Sequence, residues 1–113
     1  MMLRMQKNKF LNFMGICKKS GKVVLGDHMV EKEMNRESLK LVVVATDTSE
    51  RIWAKYERFC KEKNVPVIRV STKEELGKHL GKESVAVVGF NDKNQSTNLV
   101  KLYENLKETG GVL

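Results

Sequence analysis

His28 and His79, Cys17 and Cys60, Ser20, Ser71 and Ser84, and the adjacent pair Glu74-Glu75 are the residues whose types could support catalysis or metal binding. Their spacing assembles neither. Neither histidine has a second histidine or a cysteine at ligand spacing, so no zinc site and no other metal site is expected. The cysteines form no CxxC pair, and both fall on apolar faces of helical patterns, where a buried thiol is the simplest account. The three serines stand at element boundaries, where capping uses them. Adjacent carboxylates on a helix point in different directions, so Glu74 and Glu75 do not make an acid–base pair. The run Gly77-Lys-His-Leu-Gly81-Lys82-Glu83 approaches a phosphate loop but is one residue short between its glycines. It also puts Glu83 where Ser or Thr would hold magnesium, and it precedes a strand where a phosphate loop follows one. No acid, base and nucleophile converge, so the expectation is a protein with no catalytic residue and no cofactor, and not an enzyme.

Charge is the informative chemistry. The chain carries a net charge of +7, and residues 1–22 hold Arg4, Lys7, Lys9, Lys18, Lys19 and Lys22 with no acid. The remaining 15 basic residues face all 14 acids, so nearly the whole excess sits at one end. A segregated basic segment attracts polyanions, whereas scattered Lys/Glu pairs only solvate a surface. Two widely separated cysteines point to a reducing, cytoplasmic setting. Neither a signal-peptide core nor a membrane span is expected, because the longest apolar run, Leu41 to Ala45, is too short.

The elements that must position these residues follow from periodicity. Phe10, Phe13, Met14 and Cys17 recur at helical spacing, predicting a first helix over residues 8–19 behind a flexible basic N-terminus, residues 1–7. Lys22 to Leu25 reads as a short strand, and Asp27 as the N-cap of a second helix buried through Val30 and Met34. The β-branched run Leu41 to Ala45 suits a strand covered on both faces. Asp47 with Glu50 has capping-box spacing for a third helix, whose inner stripe is Ile52, Tyr56, Phe59 and Cys60. Trp53 beside this stripe fits core or partner contact equally. Asn64 can end the helix in the left-handed conformation, and Pro66 prevents its return. Val67 to Val70 is the next strand. Thr72 with Glu75 opens a fourth helix that Gly81 ends, Val85 to Phe90 is the last strand, and Asp92 with Gln95 begins the last helix. Strands alternating with helices predict one domain, a three-layer α/β/α sandwich, with helix crossovers favouring mostly parallel pairing and the short first strand free to lie either way.

The segments Gly21-Lys22, Gly26, Lys32, Lys40-Leu-Val-Val-Val-Ala-Thr-Asp47, Cys60-Lys-Glu-Lys-Asn-Val-Pro66 and Glu75-Leu-Gly-Lys-His-Leu-Gly81 together resemble one family. It is the superfamily of large-subunit ribosomal proteins 7Ae and 30e, and in particular its small bacterial, YlxQ-like branch. The resemblance spans residues 10–106. It implies a mixed four-stranded sheet between helices and binding of structured RNA at a kink-turn, a sharply bent internal loop with sheared G·A pairs. It also implies a contact surface made by the turn into the second helix and the loop before the last strand. Helix N-termini offer free N–H groups to phosphates, and RNA recognition favours bent, unstacked elements.

Carried across residue by residue, the family's Gly-x-Asn-Glu-x-x-Lys turn stands here as Gly26-Asp27-His28-Met29-Val30-Glu31-Lys32. Gly26 and Lys32 match. His28 and Met29 replace the guanine-reading Asn-Glu pair: His28 can donate one hydrogen bond and stack, Met29 offers apolar contact, and Asp27 adds a negative charge at the approach. The second loop, Gly81-Lys82-Glu83-Ser84-Val85, lacks the extended apolar tip common in archaeal relatives. The expected RNA-binding residues are therefore Lys18, Lys19, Lys22, Gly26, His28, Met29, Lys32, Lys82, Ser84 and Val85. The expected partner is ribosomal or other kink-turn-like RNA, with ribosome association, no membrane contact and a monomeric state. Two other readings exist for this fold: an RNA-delivery partner of an RNA-modifying enzyme, and a protein–protein adaptor. The segregated basic segment argues against the adaptor.

Overall fold

The computed structural model of the protein describes residues 2–108, with side chains over residues 7–106. Met1 and the side chain of Arg4 lie outside the described residues. Along the chain come α1 (Met2–Lys19), β1 (Val23–Leu25), α2 (Asp27–Asn35), β2 (Leu41–Val44) and α3 (Glu50–Lys63). They are followed by β3 (Val67–Arg69), α4 (Lys73–Leu80), β4 (Val87–Phe90) and α5 (Lys93–Glu108). α1 begins at Met2, so residues 2–7 extend the first helix where the sequence pointed to a flexible basic N-terminus. Lys7 is also held there, its Nζ 3.0 Å from Glu75 Oε1.

The sheet order is β1-β4-β2-β3, and the sheet is mixed. β2 and β3 are parallel, whereas β4 runs antiparallel to both β1 and β2. Mostly parallel pairing, expected from the helical crossovers, is thus corrected: β4 inserts between β1 and β2 and reverses two of the three ladders. Each strand of the central pair is buried on both faces. Leu41, Val43 and Ala45 face α1, α4 and α5, while Val42 and Val44 face α2 and α3. This period-two split gives the three layers.

Local chemistry explains the helix ends, with two corrections. Ser49, not Asp47, caps α3 by accepting from Ile52 N–H, and Asp47 instead accepts from Lys73 N–H (2.9 Å) at the start of α4. Gly26, not Asp27, is the N-cap residue of α2, with φ at +92°, a region that glycine enters without a Cβ clash. Asn64 closes α3 in the left-handed conformation, and the Thr72/Glu75 capping box opens α4, both as the sequence implied. No described helix is long and apolar enough to cross a membrane.

Candidate nucleic-acid interface

The free end of β1 builds the site. β1 runs beside β4, and Gly26 N–H donates to Val87 O (2.9 Å), so the turn into α2 sits against the residues that lead into β4. The turn and the α4–β4 loop enclose a cleft of about 270 Å³ lined by Leu25, Gly26, Asp27, Lys82, Ser84, Val85 and Ala86. Two segments separated by more than fifty residues, each expected to contact RNA, therefore form one surface. Gly26 has no side chain to cap α2, so the first-turn N–H groups stay open to an anion. His28, Met29 and Lys32 are exposed along the outer side of α2, with Val30 and Met34 buried beneath. Met29 is 43% exposed, one of two large apolar side chains so displayed among the described residues.

The loop's shape depends on Gly77. A Cβ there would lie 2.7 Å from Ser84 Cα and 2.8 Å from Lys82 O, so the loop folds down onto bare helix backbone. Val85 N–H donates to Lys73 O (2.9 Å) and Lys82 N–H to Gly77 O (2.8 Å), fixing both loop ends. Lys82 and Ser84 are exposed at the cleft.

Asp27 behaves differently from the sequence expectation. Its carboxylate accepts from the Tyr56 hydroxyl and pairs with Lys55 Nζ at 3.0 Å, while Tyr56 also donates to Asp27 O (2.9 Å). Burial opposes ionisation of Asp27, but the hydrogen bonds from Tyr56 and Lys55 outweigh it and hold its pKa below the ordinary 3.8. Burial, then the Asp27 carboxylate, push the Tyr56 phenol up, so it remains a donor. The negative charge is thereby turned toward α3 and partnered, leaving the approach to the turn less acidic than the bare sequence implied. Lys55 also pairs with Glu31, one turn along α2. Lys55 and Tyr56 are the residues that sequence reasoning missed here. Their signal was a tyrosine within an otherwise apolar helical stripe, since a buried phenol needs a partner.

The lysines divide. Lys18, in the last turn of α1, brings its Nζ within 3.9 Å of the Cβ position at Gly81, next to the α4–β4 loop. Lys19 is exposed on the same turn. Lys22 stands apart from the cleft: it precedes β1 at the end away from Gly26, where its Nζ pairs with Asp92 Oδ2 (3.1 Å) and its carbonyl accepts from Asn91 N–H. The three residues of β1 separate Lys22 from Gly26, four steps along the chain or roughly 13 Å at about 3.3 Å per residue. The Val85 side chain is 5% exposed and belongs to the core, so it carries the loop that lines the cleft. With Lys7 and Lys22 paired, the basic segment of residues 1–22 presents fewer free charges than its composition suggests.

The other chemical candidates resolve as structural parts. Burial and the Asp92 charge push the Cys17 thiol up to about 11, and burial pushes Cys60 up to about 12, so both stay protonated near neutral pH. Ser20 and Ser71 hydroxyls donate to Cys17 O (2.6 Å) and Glu75 Oε1 (2.8 Å). His79 Nδ1 lies 3.0 Å from Glu75 O. Trp53 is half-buried and covered by the Arg69 guanidinium, 4.9 Å from its ring centroid. No group of three or more potential metal ligands occurs among the described residues.

Comparison with known proteins places this geometry. Residues 9–100 match the family model for the ribosomal protein L7Ae/L30e/S12e/Gadd45 family. The RNA-binding protein YlxQ of Bacillus subtilis (strain 168) is 31% identical over 91 residues, which cover 80% of this chain and 91% of that protein. Among solved structures, a protein of unknown function from Bacillus halodurans C superposes with a TM-score of 0.83 at 25% identity, covering 85% of this chain and 97% of that one. The Giardia lamblia 15.5kD RNA binding protein superposes with a TM-score of 0.76 at 21% identity, covering 94% and 91%, a likeness of fold.

Proposed function

Since the chain belongs to the L7Ae/L30e/S12e/Gadd45 family of ribosomal proteins, we propose that it is a non-catalytic, cytoplasmic RNA-binding protein that recognises a bent, kink-turn-like element of structured RNA. Ribosomal RNA is the natural source of such an element. The observation that carries this reading is the single cleft formed by the uncapped turn at Gly26 and the α4–β4 loop at Lys82 and Ser84. Phosphate approaches the free N–H groups of α2, flanked by Lys18, Lys32 and Lys82. The exposed His28 and Met29 meet the bases, one by a hydrogen bond or stacking and the other by apolar contact. The relative named as an RNA-binding protein supports the polyanion partner.

The test compares a kink-turn RNA with a control whose G·A pairs are disrupted. In the double variant His28→Asn, Met29→Glu a fixed amide and a carboxylate acceptor replace weaker contacts. Affinity for the kink-turn should rise relative to the control, a good bidentate base contact being worth about 1–3 kcal/mol by analogy with DNA readout. Lys32→Ala should weaken both RNAs equally and flatten the slope of log affinity against log salt by about 0.7–0.9. If the double variant leaves the ratio between the two RNAs unchanged, the turn does not read bases.

A further inference from the structure

The opposite end of the sheet carries a second basic concavity. Lys40 immediately precedes β2, and its N–H donates to Phe90 O (2.7 Å), so this end lies across the sheet from the Gly26–Val87 contact. Between α5 and the starts of β2 and β3 is a groove of about 560 Å³, twice the size of the recognition cleft. Lys40, Lys93 and Lys101 rim it. All three are exposed, and none has a carboxylate within ion-pair distance among the described residues. Glu104 is the one acid in its lining, which leaves an excess of two positive charges. Pro66 and Val100 give the groove apolar surface. Ser96, also in the lining, is 4% exposed, and its hydroxyl has no hydrogen-bond partner among the described residues. A buried unpaired hydroxyl costs about 1–3 kcal/mol, and a ligand that supplies a partner recovers that loss.

The groove also borders an open strand edge. β3 is the sheet's edge, and Val42 N–H donates to Pro66 O while Val70 N–H donates to Val44 O. Backbone groups alternate along a parallel strand, so residues 66, 68 and 70 face β2, and Val67 and Arg69 turn their N–H and C=O groups to the open side.

We infer that this groove is a docking site for an acidic, extended peptide segment of a protein partner, its carboxylates meeting Lys40, Lys93 and Lys101 and an aliphatic side chain lying against Pro66 and Val100. Charge complementarity selects this occupant. A second copy of this chain, itself carrying +7, is repelled by three unpaired lysines. An unstacked base finds no aromatic ring in the lining on which to stack. An acidic strand adding to the edge of β3 uses both the open backbone groups and the lysine rim.

The experiment uses the full chain, isotopically labelled, titrated with an acetylated octapeptide in which two leucines are flanked by glutamates. A glutamine-for-glutamate version serves as control. Amide shifts are expected at Ser96, Val100 and Lys101 and along Val67–Arg69, with Asp27–Lys32 unmoved. The control should bind at least tenfold more weakly. The variant Lys40→Glu, Lys101→Glu changes two exposed positions and should fold normally, lose the peptide by at least tenfold, and bind the kink-turn RNA as wild type does. Failure of the RNA-binding reading would leave the peptide shifts in place, so the two readings fail separately. Peptide shifts confined to the Gly26 turn, no shifts at millimolar peptide, equal binding of the glutamine control, or loss of RNA affinity in the charge-reversed variant would each overturn the assignment.

Discussion

Both ends of the sheet are basic and concave, but they are built by different means. At the Gly26 end the backbone makes the surface: a glycine at φ +92° opens a helix terminus, and a second glycine, Gly77, lets the α4–β4 loop descend to within contact distance. Side chains there are fixed from behind, Asp27 by Tyr56 and Lys55. At the Lys40 end the surface is made by long side chains from the residue before β2 and from α5 that converge without any unusual backbone. The first kind of site demands particular residue types at particular positions. The second demands only charge in the right places, so many sequences could supply it. A rigid site suits a ligand of defined shape such as a bent RNA, whereas flexible lysines suit a ligand recognised by charge.

Breaking the backbone of the first end should have the largest effect. Gly77→Ala forces a Cβ against Ser84 Cα and Lys82 O, both main-chain atoms that cannot swing aside. A loss of about 1–3 kcal/mol in urea unfolding is expected, together with weakened RNA binding as the loop lifts. Lys101→Ala at the other end should stay within about 0.5 kcal/mol and leave RNA binding unchanged. Equal effects from the two substitutions would erase the contrast between the ends.

Tyr56→Phe sharpens the same comparison with a smaller change. It removes a hydroxyl that donates to both the carbonyl and the half-exposed carboxylate of Asp27, and with solvent screening the acceptor such a bond is worth about 0.5–1.5 kcal/mol. Stability should fall by about that amount. RNA affinity should fall too, because the Asp27 carboxylate is then freer to face the phosphates. Thermal melts and RNA titration of the variant check both parts.

The smallest expected effect is a pH dependence. Burial opposes ionisation of Asp27 and Glu75, but the bonds from Tyr56 and Lys55 to the first, and from Lys7 and Ser71 to the second, leave both folded pKa values below the ordinary ones of 3.8 and 4.5. A depressed folded pKa means that the stabilisation is present above the unfolded value and is lost as pH falls through the folded one. Stability should therefore hold down to about pH 4.5 and decline below it. Asp27→Asn should blunt the decline, as followed by denaturant midpoints between pH 6 and pH 3.

The same contrast explains what the sequence made legible. Asn64, Gly81 and the Thr72/Glu75 box were readable because each meets a local geometric need that few residues satisfy. The central strand was readable because Leu41–Val44 is buried on both sides. Ladder direction was not, since no local signal tells β4 to insert antiparallel between β1 and β2. Asp47 and Asp27 were read as caps because aspartate at those spacings often is one. Ser49 and Gly26 took those positions, and the aspartates bind Lys73 N–H, Tyr56 and Lys55 instead. The Lys40 groove was invisible because residues 23–113 are nearly balanced in charge, and only folding separates Lys40, Lys93 and Lys101 from the acids. Lys22 shows the converse: it looked like part of a basic patch and is paired with Asp92 at the far end.

The central claim is that the Gly26 turn and the α4–β4 loop bind RNA as one surface. The most direct measurement is a map of backbone amide shifts in the labelled full chain during titration with a kink-turn RNA. The account predicts that Asp27–Lys32 and Lys82–Ala86 shift together with one shared dissociation constant, while Lys40, Lys93 and Lys101 stay in place. Shifts centred on Lys40, Lys93 and Lys101, or movement of one recognition segment without the other, would contradict it.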